Sequence, residues 1–267
     1  VNGIAMALTE VIKCKLNLVN INNMFSNCIN LISIPATIFE DSLNLTSAIE
    51  TFSHCSSLKS VPAGLFGNNT SITNFERTFA YSGLALIPGA LFSPCINATN
   101  FKETFSNCTD LLEIPLNLFQ NNNAITSFNR TFLGCTKIIS LPNNLLSYSP
   151  IVTTYEWMFG LCSNLITLPE NLFGNACASA LTFANMFNGT KIKEIPAGLF
   201  QYATAATNFD NVFNGTQITK IPDNCFNANN ATWNNGLNID KLISLGNNSL
   251  YGLQISNNMF ENKTALK

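Results

Sequence analysis

Apolar residues four apart recur along almost the whole chain, and each pair is followed by a second apolar pattern ending in proline. The second residue of each pair is a phenylalanine, and the intervals between these are 26 to 28 residues. They fall at Phe25, Phe52, Phe79, Phe105, Phe132, Phe159, Phe187 and Phe213. A fixed period of this length is typical of a solenoid, in which each unit buries its apolar face against its neighbours.

Each repeat unit divides into three pieces. The apolar pair, as in Phe128 and Phe132, has the spacing of one helical face, so the sequence predicts a short helix capped by preceding Ser, Thr or Asn. A turn follows, of the form Phe-x-x-Cys-x-x-Leu. Its cysteine is absent from three units that are one residue shorter, which indicates a packing role.

The third piece is Leu-x-x-Ile-Pro, and eight of the ten prolines fall in it. It predicts a very short parallel strand, which proline ends because it has no N–H to donate. A Leu-Phe pair and an Asn/Gly-rich bend lead to the next unit. We expect Phe132 to be core and Asn122, in such a bend, to tolerate replacement by alanine.

Composition narrows the function. Only 10% of the residues are charged and the net charge is −2, so no basic surface for nucleic acid is expected. The sequence contains no apolar run long enough to span a bilayer. One histidine and nine cysteines without a C-x-x-C pair give no metal ligand set, and no cofactor is expected. The cysteines are expected to be buried and unpaired.

The motif Phe-x-x-Cys-x-x-Leu-x-x-Ile-Pro, with its period of 26 to 27 residues, resembles the BspA-type leucine-rich repeats of bacterial surface proteins. It also looks like the related repeats of mycoplasma lipoproteins. The resemblance covers roughly residues 8 to 260. It implies a right-handed solenoid displayed outside the cell, which acts in adhesion or partner binding and is not an enzyme.

The predicted fold is therefore an α/β leucine-rich-repeat solenoid of about nine coils, each with a short helix and a very short parallel strand. Residues 1–267 are interpreted as a single array, a segment of a larger protein. Stacked coils would give a strand surface on the order of 40 Å long.

Strand alternation assigns the candidate binding residues. A mostly apolar column with Ile32, Leu112 and Ile139 should point inward, and the next column should face solvent. The outward residues are Ser33, Ser60, Leu86, Glu113, Ser140, Thr167, Glu194, Lys220 and Ser244. Trp157 is a further candidate, as an exposed interface anchor or as a side chain folded over a neighbouring coil.

The leading hypothesis is a non-catalytic extracellular or cell-surface module that binds a protein or glycan on another surface. The alternative is a structural or receptor-binding part of a larger assembly, such as a phage fibre on a virion surface. A single histidine, His54, without a recurrent nucleophile or acid beside it does not make a catalytic site. The oligomeric state is left open by the sequence.

Overall fold

The chain is a stack of coils joined by parallel backbone bridges. A computed structural model describes residues 8–11, 17–228, 231–235 and 243–254. Equivalent residues of successive coils pair in parallel, at separations of 23 to 28 residues. The ladder runs through Asn20, Ser47, Asn74, Asn100, Ser127, Thr154, Thr182, Asn208 and Thr232. The described residues therefore form a solenoid, as the repeat predicted.

Regular secondary structure is sparse and confined to the C-terminal coils of the described chain. The strands are β1 (Lys220–Ile221), β2 (Ala231–Thr232), β3 (Ser244–Leu245) and β4 (Leu253–Gln254). Strand β1 pairs in parallel with β3, and β2 with β4. Elsewhere in the described residues, the predicted strand position carries only the single bridges from Glu10 to Ser33 and from Ser140 to Thr167.

The short helix predicted for each coil is not found in the described residues; consecutive turns take its place. Two features of the backbone explain the difference. The φ angle is positive at every fourth residue, for example +52° at Glu50 and +61° at His54, which interrupts a right-handed helix. Alternate N–H groups donate to the next coil, as from Phe52 to the carbonyl of Thr78, and the intervening ones donate three residues back.

Consecutive four-residue turns still place both apolar residues of a pair on one side. The predicted common face is therefore confirmed although the helix is not. The predicted capping contact also survives: the side-chain oxygen of Asn74 accepts a hydrogen bond from the N–H of Glu76, two residues on, at 2.8 Å. This contact begins a turn in place of a helix.

The core consists of stacked aromatic rings. The recurrent phenylalanines stack along the array with centroid separations between 5.3 and 5.8 Å and nearly parallel planes. A second ladder contains Phe75, Phe101, Phe128, Tyr155, Phe183 and Phe209. The phenylalanines of the Leu-Phe pairs, such as Phe92 and Phe119, pack between the two. The prediction that Phe132 is core is confirmed.

The cysteine of the turn does more than fill space. The eight cysteines of the described residues are buried and unpaired, as predicted. The thiol of Cys135 donates to the carbonyl of Phe105 in the preceding coil at 3.1 Å, and Cys55, Cys108 and Cys162 repeat this contact. In the three shorter units a buried hydroxyl occupies the position: Ser82, Thr190 or Thr216. The position therefore favours a buried donor.

The expectation for Asn122 was wrong in its premise. Its side chain is fully buried, and Nδ2 donates to the carbonyls of Phe92 at 3.1 Å and Cys95 at 2.8 Å. Asn69, two coils earlier in the array, makes the equivalent contacts with the carbonyls of Phe39 and Ser42. The bend thus ties one coil to the one before it, which a solvent-exposed Asn-rich loop would not do.

Candidate binding surface

The Leu-x-x-Ile-Pro segments form the surface to which the sequence assigned binding. In the first of them Leu31 and Ile34 are buried, and both residues between them are exposed. The prediction that Ile32 points inward was wrong, because this side chain is 61% exposed. Two buried anchors three residues apart leave the intervening pair outside, so the strict alternation of a strand does not apply.

This arrangement gives each coil two outward side chains, and we call their stack the outer face. The residues predicted to face solvent are exposed, except that Ser244 is half-buried. The exposed ones are Ser33, Ser60, Leu86, Glu113, Ser140, Thr167, Glu194 and Lys220. The column predicted to be internal contributes Ile32, Leu112 and Ile139 to the same face, while Ala85 and Ile166 are half-buried.

Backbone contacts hold the outer face in order. The N–H of Leu112 donates to the carbonyl of Ala85 in the preceding coil at 3.1 Å, and the N–H of Ala85 donates to that of Lys59 at 2.9 Å. The N–H of Ile166 bonds the carbonyl of Ile139 in the same way. These bonds fix equivalent side chains one above another.

Three successive coils present an aliphatic stripe on this face. Leu86, Leu112 and Ile139 are each about half exposed, between 49% and 59%. Sequence reasoning missed the stripe because it placed two of these side chains in the core. The signal that could have found it is the presence of Lys59, Lys193 and Thr219 in the same column, since charged side chains are rarely buried.

A charged network flanks the stripe. Asp110 accepts hydrogen bonds from Lys137 at 2.7 Å and from Lys59 at 2.8 Å, and these two bonds lower the pKa of its carboxyl to about 2. Lys59 reaches Asp110 across the intervening coil, where Gly83 has no side chain. A Cβ at Gly83 would lie 3.0 Å from the Lys59 ammonium and 2.0 Å from the Ser56 carbonyl oxygen.

The C-terminal part of the outer face contains an open groove. A cavity of about 430 Å³ lies between the coil with Ile166, Thr167 and Leu168 and the coil with Lys193 and Glu194. An adjoining cavity of about 370 Å³ continues to Lys220. The structure therefore brings three predicted residues, Thr167, Glu194 and Lys220, to one groove with mixed charge and an apolar floor.

Trp157 lies on the turn side of its coil and not on the outer face. It is half-buried with a φ of +57°. Its indole lies over Gly160 of the same coil, where a Cβ would come within 2.4 Å of the ring. The side chain therefore folds over its own coil, and a part of it stays accessible to solvent.

The lone histidine of the sequence has an aromatic neighbour. His54 stacks on Tyr81 with centroids 4.6 Å apart. Within the described ranges, no group of three or more His, Cys, Asp or Glu side chains is placed to hold a metal ion. None of the described segments is a helix of the length and apolarity needed to cross a membrane.

Comparison with solved structures finds distant likenesses, and neither a family model nor a curated protein matches the chain. A leucine-rich repeat protein from Bacteroides ovatus has 16% identity and a TM-score of 0.37, over 93% of this chain and 66% of its own. PEPR1, in complex with AtPEP1, has 15% identity and a TM-score of 0.43, over 99% of this chain and 35% of its own.

A third solved structure with a distant likeness is that of the Drosophila Toll–Spatzle complex. It has 16% identity and a TM-score of 0.40, over 83% of this chain and 37% of the matched chain. The chain spans less than two thirds of the length of each of these proteins. The solenoid is shown by the parallel bridges and the ring ladders of the chain itself.

Proposed function

We propose that the protein is a non-catalytic binding module whose outer face docks onto a protein partner. The observation that carries the proposal is the aliphatic stripe: Leu86, Leu112 and Ile139 are about half exposed on adjacent coils, at positions where other coils have Ser, Thr, Lys or Glu. Exposed apolar side chains that are contiguous and rimmed by polar groups are typical of interaction sites.

The composition of the outer face favours a protein over a glycan. Aliphatic side chains gain by burial against other apolar groups, and the flanking Lys59, Asp110 and Lys137 supply a polar rim of the kind found around protein interfaces. The groove at Thr167, Glu194 and Lys220 adds hydrogen-bonding groups of both signs at the other end of the face. Such a combination suits a partner with an apolar ridge and mixed charge.

Display outside the cell, on a cell or virion surface, and a role in adhesion belong to the same proposal. They are supported by the resemblance of the repeat motif to bacterial surface proteins. A low charged fraction, 10% of the residues, gives the face few groups for nucleic acid or for a lipid surface. The BspA-type assignment and the right-handed coil are proposed on the same ground.

The test changes the stripe without changing the core. In Leu112→Asn/Ile139→Asn the new residues are polar, like Lys59 and Thr219 in the same column, so the fold should persist. Binding to a panel of purified extracellular proteins, measured by biolayer interferometry, should identify partners whose affinity falls at least about tenfold in this variant. Partners that bind the variant and the unchanged protein equally would refute the outer face as the docking surface.

The matched control is Ile96→Asn/Ile151→Asn, because these two isoleucines are also about half exposed but lie at another corner of the coils. It should leave the affinity unchanged. Light scattering during size-exclusion chromatography distinguishes the two hypotheses. A monomer agrees with a binding module, whereas a defined oligomer would favour a structural part of a larger assembly.

A further inference from the structure

One column of the turns has an unusual residue content for its backbone conformation. Its members have φ between +52° and +59°, a region that suits asparagine and glycine and disfavours large side chains. Asparagine stands at Asn23, Asn185, Asn211 and Asn235. The members between them are Glu50, Arg77, Glu103, Arg130 and Trp157. Large side chains held in this conformation indicate a role for the side chains themselves.

Ion pairs account for three of these five large side chains, Glu50, Arg77 and Glu103. Arg77 is bonded by Nη1 to Glu50 at 2.5 Å, and its Nε lies 3.5 Å from a carboxylate oxygen of Glu103. These contacts join three successive coils along the column. Arg130 and Trp157, the next two members, take no part in them, so another explanation is needed for this pair.

Arg130 and Trp157 are neighbours in adjacent coils. The N–H of Arg130 donates to the carbonyl of Glu156 at 2.9 Å, which sets Arg130 and Trp157 at equivalent positions of adjacent coils. The Arg130 side chain is half-buried and forms no hydrogen bond or ion pair within the described residues. Of the acidic residues on the flanking coils, Glu103 is paired with Arg77, and Glu156 accepts a hydrogen bond from Asn129.

Leu161 lies four residues after Trp157, one turn further along the same coil. It also has a positive φ, +57°, and is 50% exposed. The equivalent positions of the two flanking coils are Gly134 and Gly189, and a Cβ at Gly189 would lie 3.0 Å from the Leu161 side chain. Leu161 is therefore an exposed apolar side chain between two glycines in its column.

We propose that Arg130, Trp157 and Leu161 form a second binding site, which accepts an acidic peptide segment of a protein partner. The peptide places a carboxylate on the Arg130 guanidinium, which gains charge-assisted hydrogen bonds that the chain does not supply. An apolar side chain of the peptide packs against Trp157 and Leu161. Tryptophan and arginine are among the residues enriched at the energetic centres of protein interfaces. The exposed side chain of Leu161 favours a peptide over a glycan, because it can be buried against an apolar side chain of the peptide.

The local charge of the site can be tested without any partner. The sequence has two tryptophans, and Trp233 is fully buried, so quenchers in solution reach Trp157. The reference is N-acetyltryptophanamide, whose indole has no charged neighbour. Relative to it, the ratio of iodide to caesium quenching should be higher for Trp157, because the unpaired guanidinium attracts anions. In Arg130→Asn this excess should disappear, and a ratio equal to that of the reference in the unchanged protein would overturn the proposed anion preference.

Binding is tested with a phage-displayed library of random twelve-residue peptides. Selected peptides should combine Asp or Glu with a neighbouring apolar residue, and Trp157→Asn and Arg130→Asn should each weaken them by at least about tenfold. Both variants are expected to fold, because asparagine already occupies this column at Asn185 and Asn211.

Glu50→Asn is the matched control, since it makes the same change in the same column away from the patch, and it should leave peptide affinity unchanged. Leu112→Asn/Ile139→Asn should also retain the peptides, which separates this site from the outer face. Peptides that bind Trp157→Asn with full affinity, or a set without acidic residues, would overturn the proposal. Binding on a glycan array that depends on Trp157, without selected peptides, would overturn the peptide class.

Discussion

Replacing Asn122 by alanine tests how neighbouring coils are held together. The side chain is fully buried, and its two N–H bonds reach the carbonyls of Phe92 and Cys95 in the preceding coil. Each of these carbonyls also accepts a backbone N–H, from Cys95 and Ala98, so neither would be left without a partner. The variant therefore loses two hydrogen bonds but leaves neither carbonyl without a hydrogen-bond partner.

The expected magnitude follows from this count. Two net hydrogen bonds of about 0.5–1.5 kcal/mol each give a loss of about 1–3 kcal/mol in the free energy of unfolding. The Oδ1 atom of Asn122 is itself buried without a hydrogen-bond partner, and its removal offsets a part of this loss. We therefore expect a net destabilisation of about 1–2 kcal/mol.

The assay is urea unfolding followed by circular dichroism, with two reference variants. Asn123→Ala changes the exposed neighbour and should stay within about 0.5 kcal/mol of the unchanged protein. Phe132→Ala removes a buried ring that stacks on Phe105 and Phe159 and should cost about 3–5 kcal/mol. If Asn122→Ala and Asn123→Ala have the same midpoint, the coupling of coils through Asn122 is refuted.

Three further predictions concern single side chains. Tyr155→Phe should raise the free energy of unfolding by about 1 kcal/mol, because the Tyr155 hydroxyl is buried without a partner in a ladder otherwise made of phenylalanine; a loss of stability in thermal unfolding would contradict this. Burial raises the pKa of the Cys108 thiol to about 12, so native protein at mildly alkaline pH should react with iodoacetamide far more slowly than urea-unfolded protein, as read by mass spectrometry of the alkylated peptide. The pKa of Asp110 is lowered from 3.8 to about 2 in the folded chain, so its stabilising effect is present above pH 3.8 and is lost as the pH falls towards 2; Asp110→Asn should flatten the acid side of the stability profile in this interval, and an unchanged profile would contradict the contact with Lys137 and Lys59.

The sequence predicted the solenoid and its core well, because both depend on periodicity. The spacing of Phe128 and Phe132 puts the two rings on one side in a helix and equally in consecutive four-residue turns. Periodicity alone could not distinguish these. The choice depends on where alternate N–H groups go, and the neighbouring coil that accepts them is not visible in a single repeat.

The exposure of the outer face was predicted in part. Ser33 and Glu113 were placed outside correctly, but Ile32 and Leu112 were assigned to the interior by a two-residue alternation. The anchors of each segment, as at Leu31 and Ile34, are spaced by three. Such a spacing arises when the conformation of a short segment is determined by hydrogen bonds to the adjacent coils and not by a continuous β-sheet. Trp157 was already a candidate in the sequence, but Arg130 and Leu161 were not, since the backbone angles, side-chain partners and exposure that single them out are not visible in a sequence.

The aromatic ladders have a consequence for how such an array can change in evolution. Ring separations stay between 5.3 and 5.8 Å although the coils differ in length by up to two residues, so the corners absorb small insertions without disturbing the stack. A whole coil can equally be duplicated or lost, because each ring meets the same partner on either side. Recombination between units therefore alters the reach of the molecule while leaving its local packing unchanged, and new combinations of surface residues can be sampled at little risk to folding.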